Sequence, residues 1–264
     1  TNIVLSITPL NNSSYCWQSV LDSSAWSYVG DPNFSIDPLY NSGMAHWPNL
    51  KINNSTPYVA FIDVLYGGNI TVMKYENNQW NVVGNRGFGI VDTGWSRTTL
   101  DFYQDELYVS FKSKINGLIY PVVMKFENNQ WIHVGSILNA SPNFPYVDGD
   151  GVSMEIDQSN GNIYLAYSNS SSISSIMFDG VSWQSVGNAN ISAPGSSPSD
   201  VKIALDNNVP YITYTWTQSN SPAVYPVSVM KFDGVNWAHV GNNQQVSSGT
   251  GNTPQININN GVPY

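Results

Sequence analysis

The chain has 264 residues, 13% of them aromatic and only 10% charged, with 9 Lys plus Arg against 18 Asp plus Glu. A net charge of −9 argues against nucleic acid and anionic membrane surfaces as partners. No apolar run reaches the ~20 residues of a membrane-spanning helix, so insertion through one is excluded.

In chain order, residues 1–6 read as the second strand of a sheet, residues 15–21 as its third and residues 26–30 as its fourth. Cys16, in the third of these, is the only cysteine and can form no internal disulfide. The clearest unit follows. Residues 48–53 alternate apolar and polar side chains, the period of a strand with one buried face. Residues 58–64 are more continuously apolar, as in a strand buried on both faces. Residues 70–75 form a third strand, 76–79 a hairpin turn, and 80–83 a fourth strand that ends at Gly84.

The same order recurs. Second strands are expected at 107–111, 163–167 and 210–214, and third strands at 123–126, 175–178 and 229–232. The turns after them contain Asn128-Asn129, Asp179-Gly180 and Asp233-Gly234, pairs that tolerate positive φ. The chain closes with a first strand at 254–259 and the opening of a second at 262–264.

One phrase punctuates these units: Trp, two residues, then Val-Gly, at Trp26, Trp80, Trp131, Trp183 and Trp237. Successive spacings are 54, 51, 52 and 54 residues, and counting through the C-terminus back to Trp26 gives 53. A period near 50 that closes on itself predicts an all-β, five-bladed β-propeller of four-stranded antiparallel blades. Its blades run at about 45–94, 95–150, 151–197, 198–252 and 253–264 plus 1–44, in one domain over 1–264. The last blade takes strands from both termini, which covers strand edges that would otherwise lie open.

The phrases Thr56-Pro57-Tyr58-Val59-Ala60-Phe61, Val72-Met73-Lys74-Tyr75 and Trp80-Asn81-Val82-Val83-Gly84 resemble a tandem repeat of bacterial extracellular and surface proteins. The resemblance spans essentially the whole chain. It implies a secreted β-propeller and carries no catalytic residue.

Residues that recur in every unit, the Trp, Met and Tyr/Phe positions, are expected to pack one blade on the next. Residues that break the repeat are the functional candidates. Trp47 and Trp95, with His46 and Arg97 beside them, fall between blades, and Trp216 lies just past a second strand. Indole faces there would suit stacking on sugar rings. The leading expectation is therefore a non-enzymatic, extracellular or cell-surface protein that binds glycans multivalently. A second reading is a self-assembling surface or filament subunit that pairs with itself through exchanged terminal strands. Glycosylation acceptors for such a surface are Asn11, Asn12, Asn33, Asn53, Asn54, Asn69, Asn139, Asn169 and Asn190. A third reading is a glycoside hydrolase, which needs two carboxylates over a central funnel. Its candidates are Asp101 and Glu155 on first strands and Asp63 at the end of a second strand. Among them only Glu155 has apolar neighbours, Met154 and Ile156, that would raise its pKa. No spacing points to a metal or cofactor; the oxygen-rich segment 157–162 reads equally well as a turn.

Overall fold

The computed structural model describes residues 5–10, 14–19, 28–36, 44–89, 97–115, 117–135, 151–169, 171–188, 190–192, 197–217, 224–241, 244–247 and 249–264. Its regular elements are almost wholly β. The N-terminal strands β1 (Leu5–Leu10) and β2 (Ser14–Ser19) form an antiparallel hairpin.

Four four-stranded antiparallel sheets follow, each in simple meander order. The first contains β3 (Ala45–Asn53), β4 (Thr56–Asp63), β5 (Asn69–Glu76) and β6 (Gln79–Val82). The second contains β7 (Thr99–Tyr103), β8 (Glu106–Ile115), β9 (Leu118–Glu127) and β10 (Gln130–His133). The third contains β11 (Val152–Ile156), β12 (Ile163–Ser168), β13 (Ile173–Phe178) and β14 (Trp183–Ser185). The fourth contains β15 (Ser197–Asp206), β16 (Val209–Thr217), β17 (Val227–Phe232) and β18 (Trp237–His239). A short hairpin of β19 (Ile258–Asn259) and β20 (Val262–Pro263) ends the chain. The two terminal hairpins are separate two-stranded sheets among the described residues.

Turn chemistry sets the registers. Asn54-Ser55, Asn77-Asn78, Gln104-Asp105, Asn128-Asn129 and Asn207-Asn208 each place two successive residues at positive φ, the geometry of a two-residue hairpin that matches strand twist. Asp179 and Asp233 close their turns differently, each carboxylate accepting two backbone N–H groups from the residues that follow.

The sheets stack face to face in chain order. The first and second enclose one core around Ile62, Val72, Leu100, Val109 and Phe111. The second and third share another around Val123, Met154, Leu165 and Tyr167, and the third and fourth a third around Tyr164, Val201, Ile212 and Tyr214. The repeated Trp is the latch between sheets. Trp131 donates its indole N–H to the carbonyl of Val83 (3.0 Å), Trp183 to Val134 (3.0 Å) and Trp237 to Val186 (2.8 Å). Trp80 does the same to Val29 (2.8 Å), which seats the N-terminal segment on the first sheet. Each indole also lies against the glycine that ends the preceding unit's phrase. A Cβ on Gly84, whose φ is +77°, would stand 3.0 Å from the Trp131 and Phe126 rings.

The recurring lysines are also structural. Lys74 pairs with Glu76 (2.8 Å), Lys125 with Glu106 (2.6 Å), and Lys231 lies over the Tyr211 ring. The first strands β3, β7, β11, β15 and β19 touch one another in that order, so they form the inner edge of the stack.

Candidate active site

Pairing across each first hairpin gives the inner strands a common register. Lys51, Asp101, Glu155 and Ala204 stand opposite Tyr58, Tyr108, Tyr164 and Tyr211, and Asn257 stands opposite Tyr264. Three successive inner strands therefore carry Lys, Asp and Glu at one level. Alternation explains why they share it. The flanking residues Leu100, Phe102, Met154 and Ile156 are buried in the cores on one face, which turns Asp101 and Glu155 to the other.

Asp101 is almost fully buried and collects three donors: Lys51 Nζ at 2.9 Å, and the backbone N–H groups of Phe102 and Ile156, both at 2.9 Å. The last bond crosses from the second sheet to the third. Burial opposes the charge on Lys51, but the Asp101 carboxylate more than offsets this and raises its pKa. Glu155 has no such set of donors among the described residues. Burial, and then the Asp101 charge, push its pKa up to about 7, against a smaller lowering by Lys51. Two carboxylates at one level thus stand in different surroundings, Glu155 raised by burial and Asp101 surrounded by donors.

Asp63 does not join them. It pairs with Ala45 at the start of β3, whereas Lys51 lies near its end. Five residues of β4 separate Asp63 from Tyr58, about 17 Å of extended chain. Its carboxylate is buried against Thr71 Oγ1 (2.9 Å) and Arg86 (3.8 Å) and ties a turn to a sheet. The sequence had no means of seeing this, because "end of a strand" does not say which end.

The opposite end of the inner edge carries a second cluster. Trp47, Arg97, Gly151, Asp200 and Thr253 each precede a residue of the first set by four positions in the chain. Trp47, Asp200 and Thr253 have φ of +53°, +50° and +47°. Bulges interrupt the ladder at Trp47 and at Asp200. Arg97 lies over the Trp47 ring at 4.9 Å and forms an ion pair with Asp200. That pair ties the segment before β7 to β15. Asp200 also accepts from the Thr253 backbone (3.3 Å).

These contacts correct the expected sugar platforms. Arg97 covers one side of Trp47, and the indole packs against the first core. Trp216 packs against the third core and donates to Ser228 Oγ (2.9 Å). His46 is exposed, and Trp95 lies outside the described residues. Among the sequon asparagines, Asn11, Asn12 and Asn139 also lie outside them. Asn33, Asn54 and Asn190 are exposed, Asn53 and Asn54 donate to Asp105, Asn69 is half-buried, and Asn169 caps the turn to Ser172.

The segment 157–162 is a turn whose Asp157 carboxylate accepts from Ser159 N (2.9 Å) and Oγ (2.7 Å). No group of three or more potential metal ligands occurs among the described residues. A groove of about 860 Å³ opens between the third and fourth sheets at the hairpin end, beside Tyr164, Gly187 and Phe232. Its one acid, Asp233, is spent on its own turn, so the groove holds no carboxylate pair.

No family model matches the chain, and no curated protein sequence does so significantly. Solved structures do resemble it. An α-L-arabinanase from Penicillium chrysogenum, solved with arabinobiose, aligns with a TM-score of 0.52 at 13% identity, over 78% of this chain and 68% of that one. An exo-1,5-α-L-arabinanase from a bovine ruminal metagenomic library gives 0.46 at 13%, over 76% and 75%. An endo-arabinase from Bacteroides thetaiotaomicron gives 0.47 at 13%, over 80% and 84%. At 13% identity the likeness to the Penicillium enzyme speaks for the fold alone, an all-β propeller. The expectation of a non-enzymatic glycan-binding module is corrected on two counts: the Penicillium structure it resembles is an α-L-arabinanase, and Trp47 and Trp216, two of the indoles meant to stack on sugars, pack against the cores.

Proposed function

We propose that the chain is a glycoside hydrolase built on a five-bladed propeller, its fifth blade drawn from both termini, that acts on polysaccharide outside the cell. The fold alone leaves the chemistry open. What carries the reading is the contrast between Glu155, raised to about 7, and Asp101 on the neighbouring inner strand, whose carboxylate accepts from three donors. Glu155 is the general acid. Its proton passes to the glycosidic oxygen, which leaves with the bonding electron pair. The Asp101 charge and the Glu155 carboxylate then face an oxocarbenium-like centre. Water adds to that centre, and its surplus proton returns to Glu155, which closes the cycle. Asp101 holds the proton on Glu155 at neutral pH and stabilises the positive charge that develops.

The test is release of reducing ends from arabinan, xylan and β-1,3-galactan by the full chain. The expected profile falls with pH through about 7, and Glu155→Gln costs at least roughly 10²-fold. Release that survives this substitution unchanged, or no release from any glycan, would overturn the reading.

A further inference from the structure

Cations are scarce in this chain, nine Lys plus Arg against eighteen acids. Three of the nine, Lys51, Arg97 and Lys202, nevertheless stand on or beside the inner strands. Two are neutralised there, Lys51 by Asp101 and Arg97 by Asp200. Lys202 forms no ion pair among the described residues. It lies on β15 between Val201 and Ile203, both buried in the third core, so its side chain projects from the other face, the one Ala204 shares. The remaining acids of these strands, Asp157 and Asp206, stand at the hairpin end, past the level of Glu155. When Glu155 carries its proton, the described residues of this stretch of the inner edge carry three cations, Lys51, Arg97 and Lys202, and two anions, Asp101 and Asp200.

From this excess cation we infer that the site takes an acidic sugar, with Lys202 binding the carboxylate of a uronosyl unit next to the bond that Glu155 cleaves. The inference rests on the hydrolase reading. The spacing suits it. Lys202 lies two residues from Ala204, the register equivalent of Glu155 on the next sheet, about 7 Å along the strand. That is about one sugar ring. The environment suits it too. Burial, and then Arg97, hold the Lys202 pKa down against a smaller raising by Asp200, so its ammonium is only partly compensated and a substrate carboxylate would supply the rest. Arg97 is held by Asp200 and Trp47 and sets the positive field from behind. The negative remainder of the surface would keep acidic polymers from binding elsewhere.

The experiment uses the full chain in the Glu155→Gln background, where nothing is cleaved, and measures binding of a tri-uronate and of its fully methyl-esterified form by calorimetry at pH 7. The acid should bind roughly 10–100-fold tighter than the ester, the worth of one charged hydrogen bond. Adding Lys202→Gln should erase that preference, and Lys202→Arg should keep most of it. Equal binding of acid and ester, or a preference that Lys202→Gln leaves intact, overturns the inference. Melting curves of each variant separate loss of the ammonium from loss of the fold. Parallel cleavage assays keep the two readings apart. Cleavage of neutral glycans without acid preference would leave the hydrolase standing and remove the acidic substrate. Lys202-dependent uronate binding with no cleavage of any glycan would do the reverse.

Discussion

Replacing Glu155 with Gln mimics the protonated acid without its titration. In the folded chain Glu155 gives up its proton near pH 7, and in the unfolded chain near 4.5. Between those values the folded state holds a proton that the unfolded state has released, so the stability from this group is fully present below about 4.5 and lost as pH rises through about 7. The difference corresponds to about 3 kcal/mol. For a chain of this size that is roughly 6–12 °C in melting temperature. Wild type and Glu155→Gln should therefore melt together at pH 4.5, while at pH 8.5 the variant should melt higher by that amount. Calorimetry or near-ultraviolet circular dichroism at six or seven pH values would measure it, and the difference between the two proteins cancels every other titrating group. Parallel curves, or a variant less stable at pH 8.5, would refute the raised proton affinity of Glu155 in its buried place beside Asp101 and the acid role built on it.

The partners of Glu155 should move it in opposite directions. Asp101→Asn removes a raising charge and shifts the alkaline limb of the pH–rate profile down. Lys51→Met removes a lowering charge, shifts that limb up, and costs about 3 kcal/mol by stranding Asp101. Carboxyl-labelled NMR titration reads both without requiring activity. At the latch, Trp131→Phe should cost about 1–2 kcal/mol by leaving the Val83 carbonyl without its donor. Gly84→Ala should cost more, about 2–4 kcal/mol, because strain at positive φ adds to the ring contacts; urea unfolding of each variant would check the order. Arg97→Ala removes the cation of a pair that is only 15–16% exposed. It should cost about 3 kcal/mol and open the Trp47 ring, seen as a change in tryptophan fluorescence.

The strands and the order of the sheets were legible because the repeat encodes them twice, once in alternation and turn residues and again in the Trp to Val-Gly latch. Asp101 and Glu155 entered as carboxylates on expected first strands, Glu155 with apolar neighbours. Lys51, Asp200 and Lys202 were missed, although a signal existed. Aligning the inner strands on Tyr58, Tyr108, Tyr164 and Tyr211 would have put Lys51, Asp101 and Glu155 at one level. The misreading of Trp47 had a different cause. A residue in a connection reads as exposed, but a bulge with φ of +53° turns this one under Arg97 and onto the first core. No propensity or periodicity forecasts a bulge at Trp, since positive φ there is strained and persists only because its surroundings hold it.

The division between repeated and unrepeated positions has a physical basis. The latch joins each sheet to the next through an indole on its fourth strand and a carbonyl and glycine at the end of the preceding fourth strand. It therefore needs the same residues every time and fixes the outer edge. With the outer edge fixed, the inner strands can carry different residues at equivalent positions. Where they do, the fold still requires that a buried polar group find a partner. Asn49 meets this by accepting from the Leu100 N–H, Ser153 from Ile203 and Asp101 from Ile156, each reaching one sheet forward. Asp101 thus has a structural task as well as a charge, whereas Glu155 and Lys202 have no comparable bond among the described residues. A carboxyl raised by burial and an ammonium lowered by it are both costly to folding. They stand on neighbouring inner strands of one stack, where a substrate could engage both at once. On that reasoning, Glu155→Gln combined with Lys202→Gln should be more stable than wild type at pH 8.5 and inert towards acidic glycans. A double variant less stable than wild type at that pH would show that these two groups serve the fold and not a substrate.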